Sequence, residues 1–327
     1  IRDVERSRGL GDVYKRQPLT DWLKKSLLVA HKEGAPGKYQ GCKEEIRTYS
    51  NYSPQLTFAT AYGASVLNGG DEATNADVTS SINVGTGIVN YRGHGSYDSW
   101  LSWNIFNESY TTSDARGLTN GYKTPIVFSI ACSNSQLDNP SECLAEAFTK
   151  ADYGATAFLG ATRGSYTLPN HTYDKELYKA LFDFGIFNIG DLSNSAACKI
   201  IEDYGYSGEY NAKIYLWLGD PTMEVWTDTP SQFTDITISD NGSSITVNAG
   251  VSGATICVSS GDNGASYYLV ADNVSQYTFT TTVRPLYITI TKHNYIPYTA
   301  VTGGTFTSDE SVSYTHLRAH ETSLHLV

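Results

Sequence analysis

A cysteine and a histidine stand at the ends of two similar apolar runs. The first run is Gly87-Ile88-Val89-Asn90-Tyr91-Arg92-Gly93-His94-Gly95-Ser96, and the second is Pro125-Ile126-Val127-Phe128-Ser129-Ile130-Ala131-Cys132-Ser133-Asn134. A thiol attacks as its thiolate, and an imidazole beside it can take the proton and later deliver it to a leaving amine. Gly95 lets the backbone approach a substrate closely. Its N–H, with that of Cys132, can hold a developing oxyanion.

The runs themselves are short, continuous and β-branched, as expected of strands buried on both faces of a parallel sheet. Sites in such sheets form beyond the carboxyl ends of the strands. His94 and Cys132 are therefore expected on one sheet edge. The chain between them has room for the helix that parallel strands need, with Ser113–Thr119 as its candidate.

These segments resemble the caspase-like cysteine peptidases, and among them the gingipain family. Asn90–Ser96 is similar to the family's histidine segment. Ile130-Ala131-Cys132-Ser133-Asn134 with Cys143-Leu144-Ala145-Glu146-Ala147 is similar to its nucleophile strand and following helix, and Leu218-Gly219-Asp220-Pro221-Thr222-Met223 to the end of its catalytic domain. The resemblance covers roughly residues 22–300. It implies a caspase-like α/β/α sandwich with a mostly parallel sheet, and a cysteine endopeptidase working through an acyl-thioester.

The apolar Leu27–Ala30 run reads as a further strand, broken by Gly34 and Pro36. The family pattern here is a strand followed by Glu-Gly-x-Pro, and its Glu orients the catalytic His; Glu33 matches. A pocket acid that receives a basic P1 side chain follows in the family. Glu44 falls there by counting and Glu45 by aligning Ile46, both in place of the usual Asp. Tyr166, after the Ala155–Thr162 strand, stands where an aromatic walls that pocket and arginine-specific members carry Trp. Ile130, Arg92 and Gly93, beside the reactive pair, complete the candidate substrate contacts. Trp100 and Trp103 fit either a cleft lining or a cover for the sheet edge.

The remaining expected elements of this domain, residues 18–228, are a Leu56–Tyr62 strand and a Thr74–Ile82 helix capped by Thr74 or Asn75. A Ser141–Lys150 helix capped by Ser141 follows, with Cys143 in its core face, then amphipathic helices over Tyr173–Phe184 and Leu192–Tyr204. Across residues 229–310, seven short alternating runs are separated by turn signals such as Asp240-Asn241-Gly242 and Asp262-Asn263-Gly264, suggesting an immunoglobulin-like sandwich. The runs are Asp235–Ile238, Ser244–Asn248, Thr255–Ser259, Tyr267–Ala271, Gln276–Thr281, Leu286–Thr291 and Tyr298–Thr302. The family carries such a domain after its peptidase domain.

The net charge of −11 argues against nucleic acid, which requires clustered Lys and Arg. No run approaches the roughly 20 apolar residues of a membrane helix. The five cysteines lack Cys-x-x-Cys spacing, so neither a zinc site nor a disulfide framework is indicated, and Cys132 is expected to be free. Segments 1–17 and 311–327 fit nothing around them and read as foreign, adapter-derived sequence. They hold His316, His320 and His325, which with His31 are set aside as metal ligands.

The resemblance further implies a bacterial enzyme that is secreted or on the cell surface, attached there through sequence beyond this chain. Its partners would be protein or peptide substrates. No cofactor is needed for the chemistry. The family allows a structural Ca²⁺, but no EF-hand loop is present and no metal ligands are assigned. Two other functions remain: a non-catalytic or processing component of a bacterial surface-secretion system, which the same family includes, and a glycan-binding adhesin built on the Tyr and Trp content.

Overall fold

The computed structural model describes residues 21–52, 55–64 and 72–303. Both segments read as foreign lie outside the described residues. The structure divides into two compact units, Asp21–Thr229 and one that begins at Pro230.

The first unit is built on a six-stranded sheet. Its strands are β1 (Lys25–Ala30), β2 (Thr57–Tyr62), β3 (Ile88–Arg92), β7 (Ile126–Ile130), β8 (Ala157–Ala161) and β9 (Tyr215–Leu218), in the order β2-β1-β3-β7-β8-β9. All pair in parallel except β9, which runs antiparallel to β8. The short strands β4 (Gly95–Ser96), β5 (Ser99–Trp100) and β6 (Tyr110–Thr111) form a separate small sheet just after β3.

Every residue of β3, β7 and β8 is buried, because alternation in a strand sends neighbouring side chains to opposite faces and helices cover both. One face presents Leu28, Ala30, Ile88, Phe128 and Ile130. These meet α1 (Tyr39–Thr48), α5 (Thr167–Phe182) and α6 (Ile189–Tyr204). The other presents Leu27, Val29, Val89, Tyr91 and Val127 to α2 (Asn75–Val84) and α4 (Leu144–Lys150). The result is the expected α/β/α sandwich with a mostly parallel sheet. Each fully buried Leu or Phe in it contributes roughly 1.5–3 kcal/mol.

Several boundaries move. The helix expected over Ser113–Thr119 is the five-residue α3, Thr112–Arg116, stopped at Gly117. Thr74 caps α2 through a reciprocal capping box with Asp77. Ser141 caps nothing. Helix α4 starts at Leu144 because Glu146, three residues after Cys143, accepts the Cys143 N–H at 3.0 Å. α7 (Tyr206–Ile214) follows α6 directly, after the positive-φ turn at Gly205; sequence patterning missed it. Trp100 and Trp103 are fully buried. Trp100 stacks on Tyr91 with ring centroids 4.4 Å apart, so both tryptophans are core.

The second unit has two antiparallel sheets. β10 (Thr237–Asp240), β11 (Ser244–Asn248) and β14 (Gln276–Thr280) form one, in that order. β12 (Ala254–Ser260), β13 (Tyr267–Val274), β15 (Leu286–Thr291) and β16 (Tyr298–Thr302) form the other, in the order β13-β12-β15-β16. Ile245, Val247 and Phe279 from the first share a core with Ile256, Val258, Ile288 and Ile290 from the second. No helix among the described residues is long and apolar enough to cross a membrane.

Candidate active site

The site residues come from the carboxyl ends of adjacent strands. β1 ends at Ala30 and leads to His31 and Glu33, β3 leads to His94, and β7 leads to Cys132. β3 lies between the other two. Arg92, two residues before His94, and Ile130, two residues before Cys132, are direct register partners. Parallel pairing therefore sends both chain ends out on one edge of the sheet.

The Glu33 carboxylate contacts His94 Nε2, and the Tyr39 hydroxyl stands 3.3 Å from the same nitrogen. Glu33 also receives the Lys38 ammonium. That ammonium, and His94 after it, hold the Glu33 carboxyl down at about 2. Glu33 is thus a carboxylate throughout the neutral range, fixed on one ring nitrogen of His94. The Tyr91 hydroxyl donates to the His94 carbonyl at 2.8 Å and anchors the histidine backbone.

His31, set aside on sequence grounds, belongs to this cluster. Its Nδ1 accepts the Glu33 N–H at 3.0 Å, and its ring meets that of His94 edge-on at 4.8 Å. Burial pushes it down to about 4, so it is neutral at pH 7. The available signal was its place at the end of a buried strand, two residues before Glu33.

Ligand atoms of His31, Glu33 and His94 lie within 4.8 Å of one another, close enough to hold a metal ion. The donor set does not fit Ca²⁺, which takes six or more oxygens. The Nδ1 lone pair of His31 is also already given to the Glu33 N–H.

Cys132 is free and partly buried. Its Sγ accepts the Ser165 N–H at 3.4 Å and lies 3.6 Å from Ser165 Oγ. The next residue, Ser133, has φ +57°, a left-handed conformation that turns the chain sharply after the thiol. Asn134 then ties this turn to the β4–β5 hairpin, donating to the Ser99 carbonyl at 2.9 Å and accepting from Ser129 Oγ at 2.8 Å.

Gly95 passes directly against the cysteine. A Cβ at this position would lie 2.5 Å from the Cys132 carbonyl oxygen and 3.0 Å from Ala131 Cβ. The Leu101 N–H bonds to the His94 carbonyl, so the next antiparallel pair, Gly95 with Trp100, falls at a non-hydrogen-bonded position. The Gly95 N–H is therefore turned away from β5. The Cys132 N–H has no acceptor among the described residues.

The other candidate residues are dispersed. Glu44 chelates Arg47 and accepts the Tyr62 hydroxyl at 2.7 Å. Glu45 pairs with Lys175 at 2.7 Å. Tyr166 is 47% exposed, edge-on to Tyr210 at 5.4 Å, with its N–H on Asn211 Oδ1. Ile130 and Arg92 are buried. Gly93 is enclosed, since a Cβ there would lie 2.3 Å from Tyr91 Oη and 2.5 Å from His31 Cβ.

A second thiol–imidazole pair went unnoticed in the sequence. Cys42 Sγ, on α1, lies 2.8 Å from His171 Nδ1, on α5. Burial drives Cys42 up to about 11 and His171 down to about 4. Both are neutral at pH 7, so this thiol is held out of its nucleophilic thiolate form.

The chain matches known proteins over the same region. The family described as Peptidase family C25 matches residues 11–226. Gingipain R2 of Porphyromonas gingivalis is 26% identical over 231 residues, which is 67% of this chain and 30% of that protein. Lys-gingipain HG66 of Porphyromonas gingivalis is 29% identical over 157 residues, 47% of this chain and 8% of that protein. This chain thus spans less than a third of the length of these relatives. The crystal structure of the Arg specific cysteine proteinase gingipain R superposes with a TM-score of 0.70 at 19% identity, over 86% of this chain and 67% of that one. The chain belongs to peptidase family C25.

Proposed function

We propose that this chain hydrolyses peptide bonds, with Cys132 as nucleophile, His94 as acid–base and Glu33 orienting His94. The observation that carries the reading is the Glu33 carboxylate seated on His94 Nε2. That contact leaves Nδ1 as the nitrogen for proton transfer and favours the imidazolium formed during attack.

The Cys132 thiol gives its proton to His94 as sulfur bonds to the scissile carbonyl carbon. The oxyanion is received by the Gly95 and Cys132 N–H groups. The tetrahedral adduct collapses to a thioester, and the leaving amine takes the proton back. Water then loses a proton to His94, attacks the thioester, and the second collapse releases the carboxylic acid and the thiol.

The relatives' names carry arginine and lysine, so this reading extends to a basic P1 residue. Glu45 or Glu44 would receive it by displacing Lys175 or Arg47. The enzyme is read as bacterial and secreted or surface-bound, with the second unit as an immunoglobulin-like sandwich. A Cys132→Ala chain should cleave no peptide, and an electrophilic peptide should label Cys132. Cleavage by Cys132→Ala would exclude the mechanism. A wild-type chain that neither cleaves nor labels would point instead to a non-catalytic component of a surface-secretion system. Peptides with Lys, Arg or an apolar residue at P1 test the preference.

A further inference from the structure

Arg92 is buried, at 1% exposure, and a long cation in that position normally has a carboxylate partner. Arg92 has none within ion-pair distance among the described residues. The carboxylates on the surrounding elements are committed elsewhere: Asp174 to Lys43, Glu45 to Lys175, Glu44 to Arg47, and Glu33 to Lys38 and His94.

The guanidinium binds main-chain carbonyls instead. Nη1 donates to Gly93 at 3.3 Å and to Ile130 at 3.1 Å, and Nη2 donates to Thr167 at 3.1 Å. The Tyr39 ring covers it, with Cζ 4.7 Å from the ring centroid. Tyr39 in turn stands against His94 Nε2. The three carbonyls belong to three separate parts of the site. Gly93 immediately precedes His94, Ile130 lies two residues before Cys132, and Thr167 lies two residues after Ser165, whose N–H meets the Cys132 sulfur.

We propose that Arg92 is a positioning residue: its planar fork holds the histidine segment, the cysteine segment and the Ser165–Thr167 segment that leads into α5 in one fixed relation. The proposal rests on the peptidase reading. A guanidinium presents several donors in a rigid plane, so one side chain can tie carbonyls from three directions. A Lys ammonium concentrates its donors at one point on a flexible stem. The carbonyl bonds are charge-assisted and directional, and displacement of a reacting group by about 1 Å can cost on the order of 10²-fold in rate.

The test uses the full chain, after wild type has been shown to cleave and Cys132→Ala has been shown not to. Arg92→Lys keeps the charge and loses the fork, while Arg92→Gln loses the charge. Both should lower kcat by about tenfold or more, with KM changed by less than about threefold. Ethylguanidinium added to Arg92→Ala should restore part of kcat, and ethylammonium should not. Iodoacetamide should alkylate Cys132 more slowly in Arg92→Lys than in wild type.

An Arg92→Lys chain with kcat within about twofold of wild type would show that charge alone suffices and would overturn the proposal. So would a rise in KM at constant kcat, which would make Arg92 a substrate contact. If lost activity only tracks lost folded protein, with active-site titration returning wild-type kcat per folded molecule, the role is structural and the proposal fails. If Arg92→Gln does not fold, Arg92→Lys and guanidinium rescue decide. If wild type cleaves nothing, the peptidase reading fails by itself, and the alkylation rate still reports whether Arg92 sets the surroundings of Cys132.

Discussion

Glu33 and His94 meet through one ring nitrogen. The carboxylate occupies Nε2, while the Glu33 backbone is pinned from the other side by His31 Nδ1 at 3.0 Å. The carboxylate is thus fixed at both ends, by His31 through the main chain and by Lys38 and His94 through the side chain. This arrangement sets the tautomer of His94, with the proton on Nε2 and the lone pair on Nδ1.

Glu33→Gln should lower kcat by roughly 10²-fold, the scale of a general acid–base contribution, with little change in KM. The amide can still reach the ring but no longer supports the imidazolium. Steady-state kinetics over a pH series measures the effect. Wild-type kcat in Glu33→Gln would remove Glu33 from the mechanism.

Gly95→Ala should impair catalysis while leaving the fold in place. The added methyl would sit 2.5 Å from the Cys132 carbonyl oxygen, so the strand-end backbone must shift by a few tenths of an ångström or more. Losing one oxyanion donor costs about 10²–10³ in kcat. The check is a fluorogenic-peptide assay beside circular dichroism. A Gly95→Ala chain with wild-type kcat would mean that this N–H holds no oxyanion.

The placement of His94 and Cys132 at neighbouring strand ends was legible because two local signals coincided. Buried runs ending in His-Gly and Ala-Cys need parallel pairing, and parallel pairing fixes which edge they share. Glu33 was legible only through its likeness to a family pattern, since a lone Glu in a Gly/Pro turn has no physical signature of its own. His31, Arg92 as a three-carbonyl tie, and the Cys42–His171 pair depend on contacts between segments distant in the chain. Periodicity carries no record of such contacts. Trp100 and Trp103 stayed undecided because an aromatic suits a cleft and a core equally. Their burial follows from tertiary contacts, Trp100 with Tyr91, Ser129 and Phe148 and Trp103 with Asn75. Helix α7 was missed because its apolar positions are few and it abuts α6.

Lys43 and Asp174 form an ion pair with no exposure on either side chain, at 2.7 Å, joining α1 to α5. Removing one partner leaves a buried charge alone. Lys43→Met should therefore cost about 3–5 kcal/mol. The double change Lys43→Met with Asp174→Leu should recover most of that loss. Urea denaturation of wild type, Lys43→Met, Asp174→Leu and the double variant measures the coupling. Additive losses in the double variant would contradict a direct pair.

Stability of the Asp21–Thr229 unit should fall in two steps as the solution is acidified. His31 titrates at about 4 in the folded chain against an ordinary value of 6.5, chiefly because burial disfavours its cation. His171 is lowered to about 4 for the same first reason, and its Nδ1 lies against the Cys42 thiol. Between pH 6.5 and 4 the unfolded chain binds more protons than the folded one, so stability rises with pH across that window. The contribution is complete above about 6.5 and is lost on the way down to about 4. For His31 it amounts to at most about 3 kcal/mol, and for the less buried His171 it is smaller. Glu33 adds the second step in the same direction. Its carboxyl is held at about 2 against 4.5, so its contribution is present above pH 4.5 and disappears between 4.5 and 2. Urea midpoints recorded from pH 8 to pH 3 should decline first below 6.5, and His31→Gln should flatten that first decline while leaving the second. A midpoint constant from pH 7 to pH 4.5, or a His31→Gln chain with the wild-type slope, would show that His31 carries no buried-neutral penalty.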